Sequence, residues 1–362
     1  MSAYAAFRLG MTVAIYESAP NSPASQVTPY SFVGEWSEES ELMKFAQRSS
    51  IITLENEFIS PSVLEYLESV GKSVFPTSRT IALVQDKFVQ KETLRRNNLP
   101  VADFAPIHSA EDAERFGQQY RYPFLLKSRT GGYDGYGNRT VNASADIPDA
   151  LTSLGFPSRP IMAEAFVKFE KELATIVART RDESVKVYPI VETIQENHIC
   201  KIVKAPAEIG EETEWAARNL AQVAIESIEG IGVFGVEMFV KEDGKILINE
   251  LAPRPHNSGH YTIEACMTSQ FENHIRAILN YPLGDVSMRA PAAVMVNVLG
   301  KTHRPVSLLS LPSALGTRSA AVHLYGKAES RIGRKMGHIT AVGDSMEACL
   351  KHASDAESAL IL

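Results

Sequence analysis

The chain has 362 residues, of which 44% are hydrophobic and 22% charged, and its formal net charge is −7. This length allows two or three domains with substantial cores, and no apolar window of about 18 residues predicts a membrane span. The acidic balance disfavours general binding to nucleic acid or to anionic membranes. Three scattered cysteines without metal-ligand spacing favour reduced thiols and a cytoplasmic protein over a disulfide framework.

Short apolar strands alternate with amphipathic helices in the first third of the chain. Strands are predicted at residues 11–16, 51–54 and 74–75, and helices at residues 1–9, 37–48 and 62–70. This alternation is typical of a parallel α/β sheet. A long helix is then predicted over residues 80–97, ending before Pro100.

The middle of the chain has a different pattern. A helix beginning after Ser109 precedes a strand at residues 124–127 and a glycine-rich loop. The elements that follow are strands at 161–163, 173–179 and 185–191, a helix at 214–228, a hairpin at 233–250 and a helix at 262–279. From Ala292 onward the pattern favours short strands with Pro and Gly. An α/β region followed by α+β predicts at least two domains around a cleft.

The predicted hairpin brings two carboxylates together. Asp243-Gly244 is a strong two-residue turn signal, and a turn there places Glu237 opposite Glu250 on one face of otherwise apolar strands. Two like charges at this spacing are unfavourable unless a cation lies between them or one is protonated. Oxygen ligands suit magnesium. The alternatives are a solvent-facing pair or a different register.

The segment from Lys127 to Asn138 contains four glycines within seven residues. Such a loop lets backbone amides approach an anion and can close over phosphates. Lys127, at the end of the strand, would add a positive charge. The alternative is a flexible hairpin without a ligand.

Two further loops carry clustered polar side chains. Residues 251–260, directly after Glu250, contain Arg254, His256 and Asn257, which we interpret as anion ligands near the carboxylates. A zinc pair of His256 with His260 is disfavoured, because the prolines and glycine in this loop argue against a helix. Residues 326–338 hold five basic side chains among three glycines, which indicates either a phosphate site or a solvated turn.

Several of these features together resemble a known family. Lys87 in Gln85-Asp86-Lys87, Lys127 with its glycine loop, Glu172, Glu237 and Asn249-Glu250 resemble the ATP-grasp superfamily. The run of residues 249–260, residues 269–272 and the basic tail are similar to the 5-(carboxyamino)imidazole ribonucleotide synthases. The resemblance covers nearly the whole chain and is especially close to the synthase part of fungal phosphoribosylaminoimidazole carboxylase.

The resemblance implies an ATP-grasp fold with an N-terminal Rossmann-like domain and a small C-terminal β-rich subdomain. The implied boundaries are residues 1–85 for the N-terminal domain, 86–165 for the lid, 166–290 for the core and 291–362 for the C-terminal subdomain. It also implies ATP and magnesium as cofactors, with manganese as the alternative ion, and a homodimer.

The resemblance assigns a role to each site residue. Magnesium would be held by Glu237 and Glu250, and bicarbonate and its products by Arg254, His256 and Asn257, while His256 or Asp134 would take the amine proton. The ATP-binding residues would be Lys87, Lys127, Gly132, Tyr133, Asp134, Gly135, Tyr136, Gly137, Asn138, Glu164, Ala165, Phe166, Val167, Glu172, Gln195, Asn249 and Glu250. The residues for aminoimidazole ribonucleotide would be Glu57, Tyr133, Asp134, Lys327, Arg334 and Lys335.

The sequence departs from the family at its start. Family members open with a strand and a Gly-Gly-Gly-Gln-Leu-Gly-type turn, whereas residues 1–9 here already predict the first helix. We therefore expect an N-terminally shortened, poorly stable and weakly active form with a complete ATP site. Gln195 stands where some relatives have histidine, and the mutase domain of fungal relatives is not expected.

Three other functions fit parts of the pattern. Formate-dependent glycinamide ribonucleotide transformylase has a similar Pro-Arg-Pro-His loop, but residues 257–260 and the glycine loop favour the synthase. A biotin-carboxylating subunit is disfavoured by the short length. A catalytically impaired ATP-binding remnant is the third alternative, because of the shortened start.

Overall fold

The N-terminal region contains two separate pairs of parallel strands. The computed structural model describes residues 1–132 and 137–362. The first elements are α1 (Ser2–Arg8), β1 (Ile15–Glu17), β2 (Ser31–Val33), α2 (Glu39–Arg48), β3 (Ile51–Thr53), α3 (Pro61–Ser69), β4 (Ser73–Phe75) and α4 (Ser78–Gln85). β1 pairs with β2 and β3 with β4, both parallel. The predicted parallel α/β arrangement is confirmed, but as two small sheets, and the strand predicted at 11–16 is limited to β1.

The helix predicted over residues 80–97 is instead two helices, α4 and α5 (Lys87–Arg96). Asp86 separates them: its backbone is extended, with ψ of 112°, and its carboxylate accepts hydrogen bonds from two amides of α5. The Arg129 guanidinium donates to the same carboxylate. An aspartate N-cap satisfies amides that the first turn of a helix leaves unpaired, so the break needs neither proline nor glycine.

A four-stranded antiparallel sheet follows, with strand order β5-β8-β6-β7. Its elements are β5 (Phe104–Ile107), α6 (Ala110–Tyr120), β6 (Phe124–Ser128), β7 (Asn138–Val141), α7 (Ile147–Ser153) and β8 (Ile161–Ala165). Ser109 caps α6 as predicted, accepting a hydrogen bond from the Asp112 amide. Apolar side chains of α6 and α7 pack on one face of this sheet, which leaves polar side chains of β6 and β8 near its other face.

The remaining chain builds a larger sheet. Its elements are β9 (Lys171–Arg179), β10 (Val185–Val187), β11 (Val191–Glu196), β12 (Ile199–Ala205), α8 (Glu211–Ser227), β13 (Gly232–Val240), β14 (Ile246–Ala252), α9 (Thr262–Ala265), α10 (Gln270–Ile278), β15 (Ala292–Leu299), β16 (Arg304–Pro305), α11 (Leu311–Leu315), β17 (Ala320–Leu324), β18 (Glu329–Ser330), β19 (Lys335–Gly343) and α12 (Met346–Ser358). The strand order is β14-β13-β9-β11-β12-β15-β19-β17, with β10 beside β9. The C-terminal strands β15, β17 and β19 therefore extend this larger sheet, called the central sheet below, whereas β16 and β18 pair with each other in a separate two-stranded sheet.

Three expectations for this region were wrong in detail. The strand predicted at 185–191 is divided into β10 and β11. The helix predicted at 262–279 is divided into α9 and α10, because Cys266 is extended and bridges to Met288, and the Ser269 side chain then caps α10. The C-terminal segment also ends in a helix, α12, that was not predicted. Among the described residues, no helix is both long and apolar enough to cross a membrane.

The hairpin of β13 and β14 keeps the predicted pairing of Glu237 with Glu250, but by a different route. Near the turn, Val240 faces Ile246, one residue away from the predicted register. A β-bulge then inserts Asn249 as an extra residue, and this shift restores the Glu237–Glu250 pair. Because a bulge turns its extra side chain toward the same face, Asn249 lies beside the carboxylates, with its amide nitrogen 3.3 Å from Glu237 Oε2.

Candidate active site

A cavity of about 2190 Å³ is lined by the N-terminal region, the four-stranded sheet and the central sheet. The sequence-predicted residues that line it are Glu57, Lys87, Lys127, Gly132, Asn138, Glu164, Ala165, Phe166, Val167, Glu172, Gln195, Glu237, Asn249, Glu250, Arg254, His256, Asn257, Lys327 and Lys335. Gly137 and Arg334 are described but do not line it. Tyr133, Asp134, Gly135 and Tyr136 lie outside the described residues.

The facing carboxylates of Glu237 and Glu250 form one charged cluster of the cavity. Burial, together with the Glu250 charge, raises the pKa of Glu237 to about 8. The Lys87 ammonium donates a hydrogen bond to Glu250, which offsets one negative charge. Two carboxylates and the Asn249 side chain are oxygen donors of the kind that magnesium prefers, so this cluster fits a magnesium ion.

Glu164 forms a second cluster, with two lysines. Its carboxylate accepts a 2.8 Å hydrogen bond from Lys127 Nζ and is 3.0 Å from Lys91 Nζ. Although burial raises the pKa of Glu164, the two lysines lower it to about 2. The side chain is therefore a buried carboxylate already engaged by cations, and it faces the cavity next to Ala165 and the two residues that follow.

Lys91 was missed by sequence reasoning. Its ammonium group contacts both Glu164 of β8 and the carbonyl oxygen of Asn249 in β14. Lys91 therefore connects the four-stranded sheet to the strand that carries Glu250. Its spacing of four residues from Lys87 on α5 places both lysines on one helix face. This four-residue spacing is the sequence feature that could have identified Lys91 as a neighbour of Lys87 at the site.

A further part of the cavity is lined by Phe166, Val167, Glu172 and Gln195. Burial raises the pKa of Glu172, and Gln195 Nε2 donates a 2.9 Å hydrogen bond to its carboxylate. Phe166 is 52% exposed, so this apolar side chain is available to a flat ligand. This part combines apolar surface with one acceptor group.

The loop after β14 places Arg254 against Glu57 of the N-terminal region. Arg254 Nη2 donates a 2.7 Å hydrogen bond to Glu57, and its Nε donates to the other carboxylate oxygen. Although burial raises the pKa of Glu57, Arg254 holds it below its usual value. The predicted ligands of two different substrates are therefore paired with each other.

His256 and Asn257 follow in the same loop. Burial and the charges of Arg254 and Lys335 lower the pKa of His256 to about 3, so the ring is neutral at pH 7. Its Nδ1 lies 2.9 Å from the Ser258 hydroxyl, and its Nε2 lies 3.6 Å from Glu237. The Asn257 amide exchanges hydrogen bonds with Asn297.

The basic loop is divided between the cavity and its surroundings. Lys327 and Lys335 line the cavity, and Lys327 Nζ donates a 2.7 Å hydrogen bond to the Lys335 carbonyl oxygen. Arg334 instead donates to the Glu329 carbonyl oxygen at 2.9 Å. Two of the three basic side chains predicted to hold a phosphate thus share the cavity with Glu237.

Three family models match successive parts of the chain. A ribonucleotide synthetase preATP-grasp domain matches residues 1–85. An ATP-grasp domain matches residues 92–271, and a phosphoribosylaminoimidazole carboxylase C-terminal domain matches residues 293–352. The three matches follow one another in chain order.

Individual relatives agree with these matches. N5-carboxyaminoimidazole ribonucleotide synthase of Synechococcus elongatus is 37% identical, over 94% of this chain and 86% of its own length. Phosphoribosylaminoimidazole carboxylase of Ogataea methanolica is 42% identical over 95% of this chain, which spans only 64% of that protein.

A solved structure extends the comparison to three dimensions. The N5-carboxyaminoimidazole synthase of Aspergillus clavatus, in complex with ADP and 5-aminoimidazole ribonucleotide, superposes with a TM-score of 0.90. It is 37% identical, and the match covers 99% of this chain and 94% of that chain.

Proposed function

Because the chain belongs to the N5-carboxyaminoimidazole ribonucleotide synthase family, we propose that it uses ATP to carboxylate 5-aminoimidazole ribonucleotide with bicarbonate. The products would be the 5-carboxyamino ribonucleotide, ADP and phosphate, in purine biosynthesis. The family and the ATP-grasp fold predicted from the sequence are confirmed. The substrates, the magnesium ion and the residue roles are proposals for this chain.

One observation carries the proposal: the facing carboxylates of Glu237 and Glu250 share a cavity with cationic groups that suit anions. Lys87 is bound to Glu250, and Arg254 and Lys335 lie in the same cavity. Carboxylates for a divalent ion beside cations for phosphates are what phosphoryl transfer from ATP requires.

The chemistry explains why the cavity must close. Bicarbonate is a poor electrophile, so ATP first phosphorylates it to carboxyphosphate, which hydrolyses quickly in water. The ribonucleotide amine then attacks the carbon of that intermediate or of the carbon dioxide it releases. A site that excludes water keeps the intermediate from hydrolysis until the amine reacts.

Several of the predicted residues would contact ATP or its metal ion. Lys87 and Lys127 would hold ATP phosphates, the chain from Phe166 would line the adenine, and Glu172 would bind the ribose. Magnesium, or manganese in its place, would be held by Glu237 and Glu250 and would neutralise charge on the transferred phosphate.

The acceptor side of the reaction would use other residues of the same cavity. Arg254, His256 and Asn257 would hold bicarbonate, and Glu57, Lys327 and Lys335 would position the ribonucleotide. A neutral His256 is free to accept the amine proton, although a pKa of about 3 makes it a weak base. Asp134, the other candidate, lies outside the described residues.

The test is ADP release by the purified chain. We expect release that needs both bicarbonate and 5-aminoimidazole ribonucleotide, and none with formate and glycinamide ribonucleotide. Formate-dependent release would identify the transformylase alternative, and no release under any condition would favour the ATP-binding remnant. Homodimeric assembly stays a prediction that light scattering of the same preparation can check.

A further inference from the structure

A second group of titratable side chains lies at the edge of the cavity, away from Glu237 and Glu250. His323 of β17 and His338 of β19 are directly paired residues of antiparallel strands, so their rings leave the same face and stack with centroids 4.6 Å apart. Glu264 of α9 approaches that face, with Oε1 2.7 Å from His323 Nε2. One donor atom from each of the three residues lies within 4.8 Å of the others.

Two polar atoms of this group are buried without a hydrogen-bond partner among the described residues. They are His338 Nε2 and Glu264 Oε2. The His338 side chain is fully buried, and its other ring nitrogen lies 3.0 Å from the Tyr325 hydroxyl, which leaves Nε2 as the nitrogen available to a ligand. Buried polar atoms are nearly always paired, so two unpaired atoms in one cluster need an explanation.

We propose that Glu264, His323 and His338 form a binding site for zinc or a similar late first-row transition-metal ion. Two imidazoles and one carboxylate are a donor set that zinc uses when three protein ligands leave one position open. Magnesium prefers oxygen donors only, so this site and the Glu237–Glu250 site would select different ions.

The surroundings of the cluster fit such an ion. His323 lines the cavity and its side chain is 30% exposed, which provides an entry path. The Tyr325 hydroxyl fixes the orientation of the His338 ring, as groups behind metal ligands commonly do.

Binding would require a small contraction of the cluster. Zinc–nitrogen distances of about 2.0–2.1 Å place neighbouring ligand atoms about 3.4 Å apart. In this structure the three donor atoms are separated by up to 4.8 Å, so they would have to move closer together. The His323 ring is the side chain with room to turn out of the stack. The ion would then fasten α9, which begins two residues after His260, to the strands β17 and β19.

Cobalt(II) is a suitable probe because its visible absorption depends on coordination. The protein is stripped with EDTA, given excess magnesium to occupy oxygen-only sites, and titrated with cobalt chloride. We expect one equivalent to bind with the intense visible bands of a four- or five-coordinate site, and zinc chloride to displace it.

The variants His323→Gln and Glu264→Gln each remove one ligand and should weaken cobalt binding at least about tenfold. His303→Gln is the matched control, since it removes an exposed imidazole outside the cluster and should bind as the unaltered protein does. Both test positions are partly exposed, so these variants avoid the folding risk of replacing the buried His338.

A thermal melt provides a second readout that does not involve turnover. An ion that binds only the folded state raises the melting temperature, so zinc should stabilise the unaltered protein and the His303→Gln control but neither ligand variant. No cobalt band in the unaltered protein, or equal binding by the ligand variants, would overturn the proposal and leave only a hydrogen bond between His323 and Glu264.

Discussion

Two carboxylate clusters face the same cavity and balance their charges in opposite ways. Glu164 lies between Lys91 and Lys127, so its pKa falls to about 2 although its side chain is only 2% exposed. Glu237 faces another carboxylate, and its pKa rises to about 8. In the first cluster two lysines keep one carboxylate ionised, whereas in the second the proximity of two carboxylates disfavours ionisation of Glu237 unless a divalent ion binds.

This difference indicates that the Glu164 cluster supports the structure, whereas the Glu237–Glu250 cluster takes part in the reaction. Lys91 joins Glu164 to the carbonyl oxygen of Asn249, the bulge residue beside Glu250. The Glu164 cluster therefore helps to hold in place the strand that carries Glu250. Substitutions that remove charge should for this reason destabilise the protein at one cluster and remove activity at the other.

The largest expected effect is on stability, at Glu164. Glu164→Gln would leave two buried ammonium groups without their carboxylate, and breaking a buried ion pair costs about 3–5 kcal/mol. Urea denaturation measures the loss. Glu242→Gln is the matched control, because its ion pair with Lys168 is largely exposed and should change stability by less than about 1 kcal/mol. Equal losses in the two variants would show that Glu164 does not support the cavity.

Glu250→Gln should act on turnover instead. Loss of a group that stabilises charge in the transition state costs about 10²–10³-fold in rate, and Glu237→Gln should behave similarly. The melting temperature of Glu237→Gln should stay near that of the unaltered protein, and Glu250→Gln should lose less stability than Glu164→Gln, because the Glu250 side chain in its pair with Lys87 is 41% exposed. Substantial activity in both at ordinary magnesium concentrations would contradict the magnesium assignment.

Lys335→Ala should weaken binding of 5-aminoimidazole ribonucleotide by about 1.5–3 kcal/mol, the size of a charge-assisted hydrogen bond, and leave ATP binding nearly unchanged. Calorimetric titration of each ligand distinguishes the two. Arg334→Ala is the comparison variant: its side chain does not line the cavity, so this change should affect ribonucleotide binding less than Lys335→Ala does. A similar loss in Arg334→Ala would mean that the basic loop rearranges around the ligand, and a loss of ATP affinity would reverse the assignment.

The pH dependence of stability should have opposite signs at the two clusters. The pKa of Glu164 is lowered, so its contribution is present above about pH 4.5 and is lost as the pH falls toward 2. The pKa of Glu237 is raised, so its protonated form contributes below about pH 4.5 and that contribution is lost as the pH rises through about 8.

These opposite pH dependences should produce a small, measurable difference between the melting temperatures of the two variants at high pH. Without magnesium at pH 9, Glu237→Gln should melt at or slightly above the temperature of the unaltered protein, because a repelling charge has been removed. Glu164→Gln should melt lower at the same pH. A clear destabilisation by Glu237→Gln in EDTA would show that the two clusters are alike.

Much of this architecture was predictable because its signals are local. Turn residues and strand patterns located the hairpin, and the glycine loop and the polar run after Glu250 pointed to the same cavity. Ser109, a residue type that favours the N-cap position, correctly predicted the start of α6. These features depend on residues close together in the chain, where composition and spacing decide the local conformation.

Other features depend on partners distant in sequence. The break between α4 and α5 is stabilised by Arg129, 43 residues after Asp86. The division of residues 262–279 depends on a bridge between Cys266 and Met288. In both places the local pattern favours a continuous helix, and tertiary contacts override that preference.

The sequence by itself determined the family, the order of most elements and a set of candidate site residues, most of which line the cavity. Only the tertiary structure decided how their charges are paired: Glu164 with Lys91 and Lys127, Arg254 with Glu57, and His323 with Glu264. The physical reason is that electrostatic interactions depend on distance and burial. Neither quantity can be read from residues that lie tens or hundreds of positions apart in the chain.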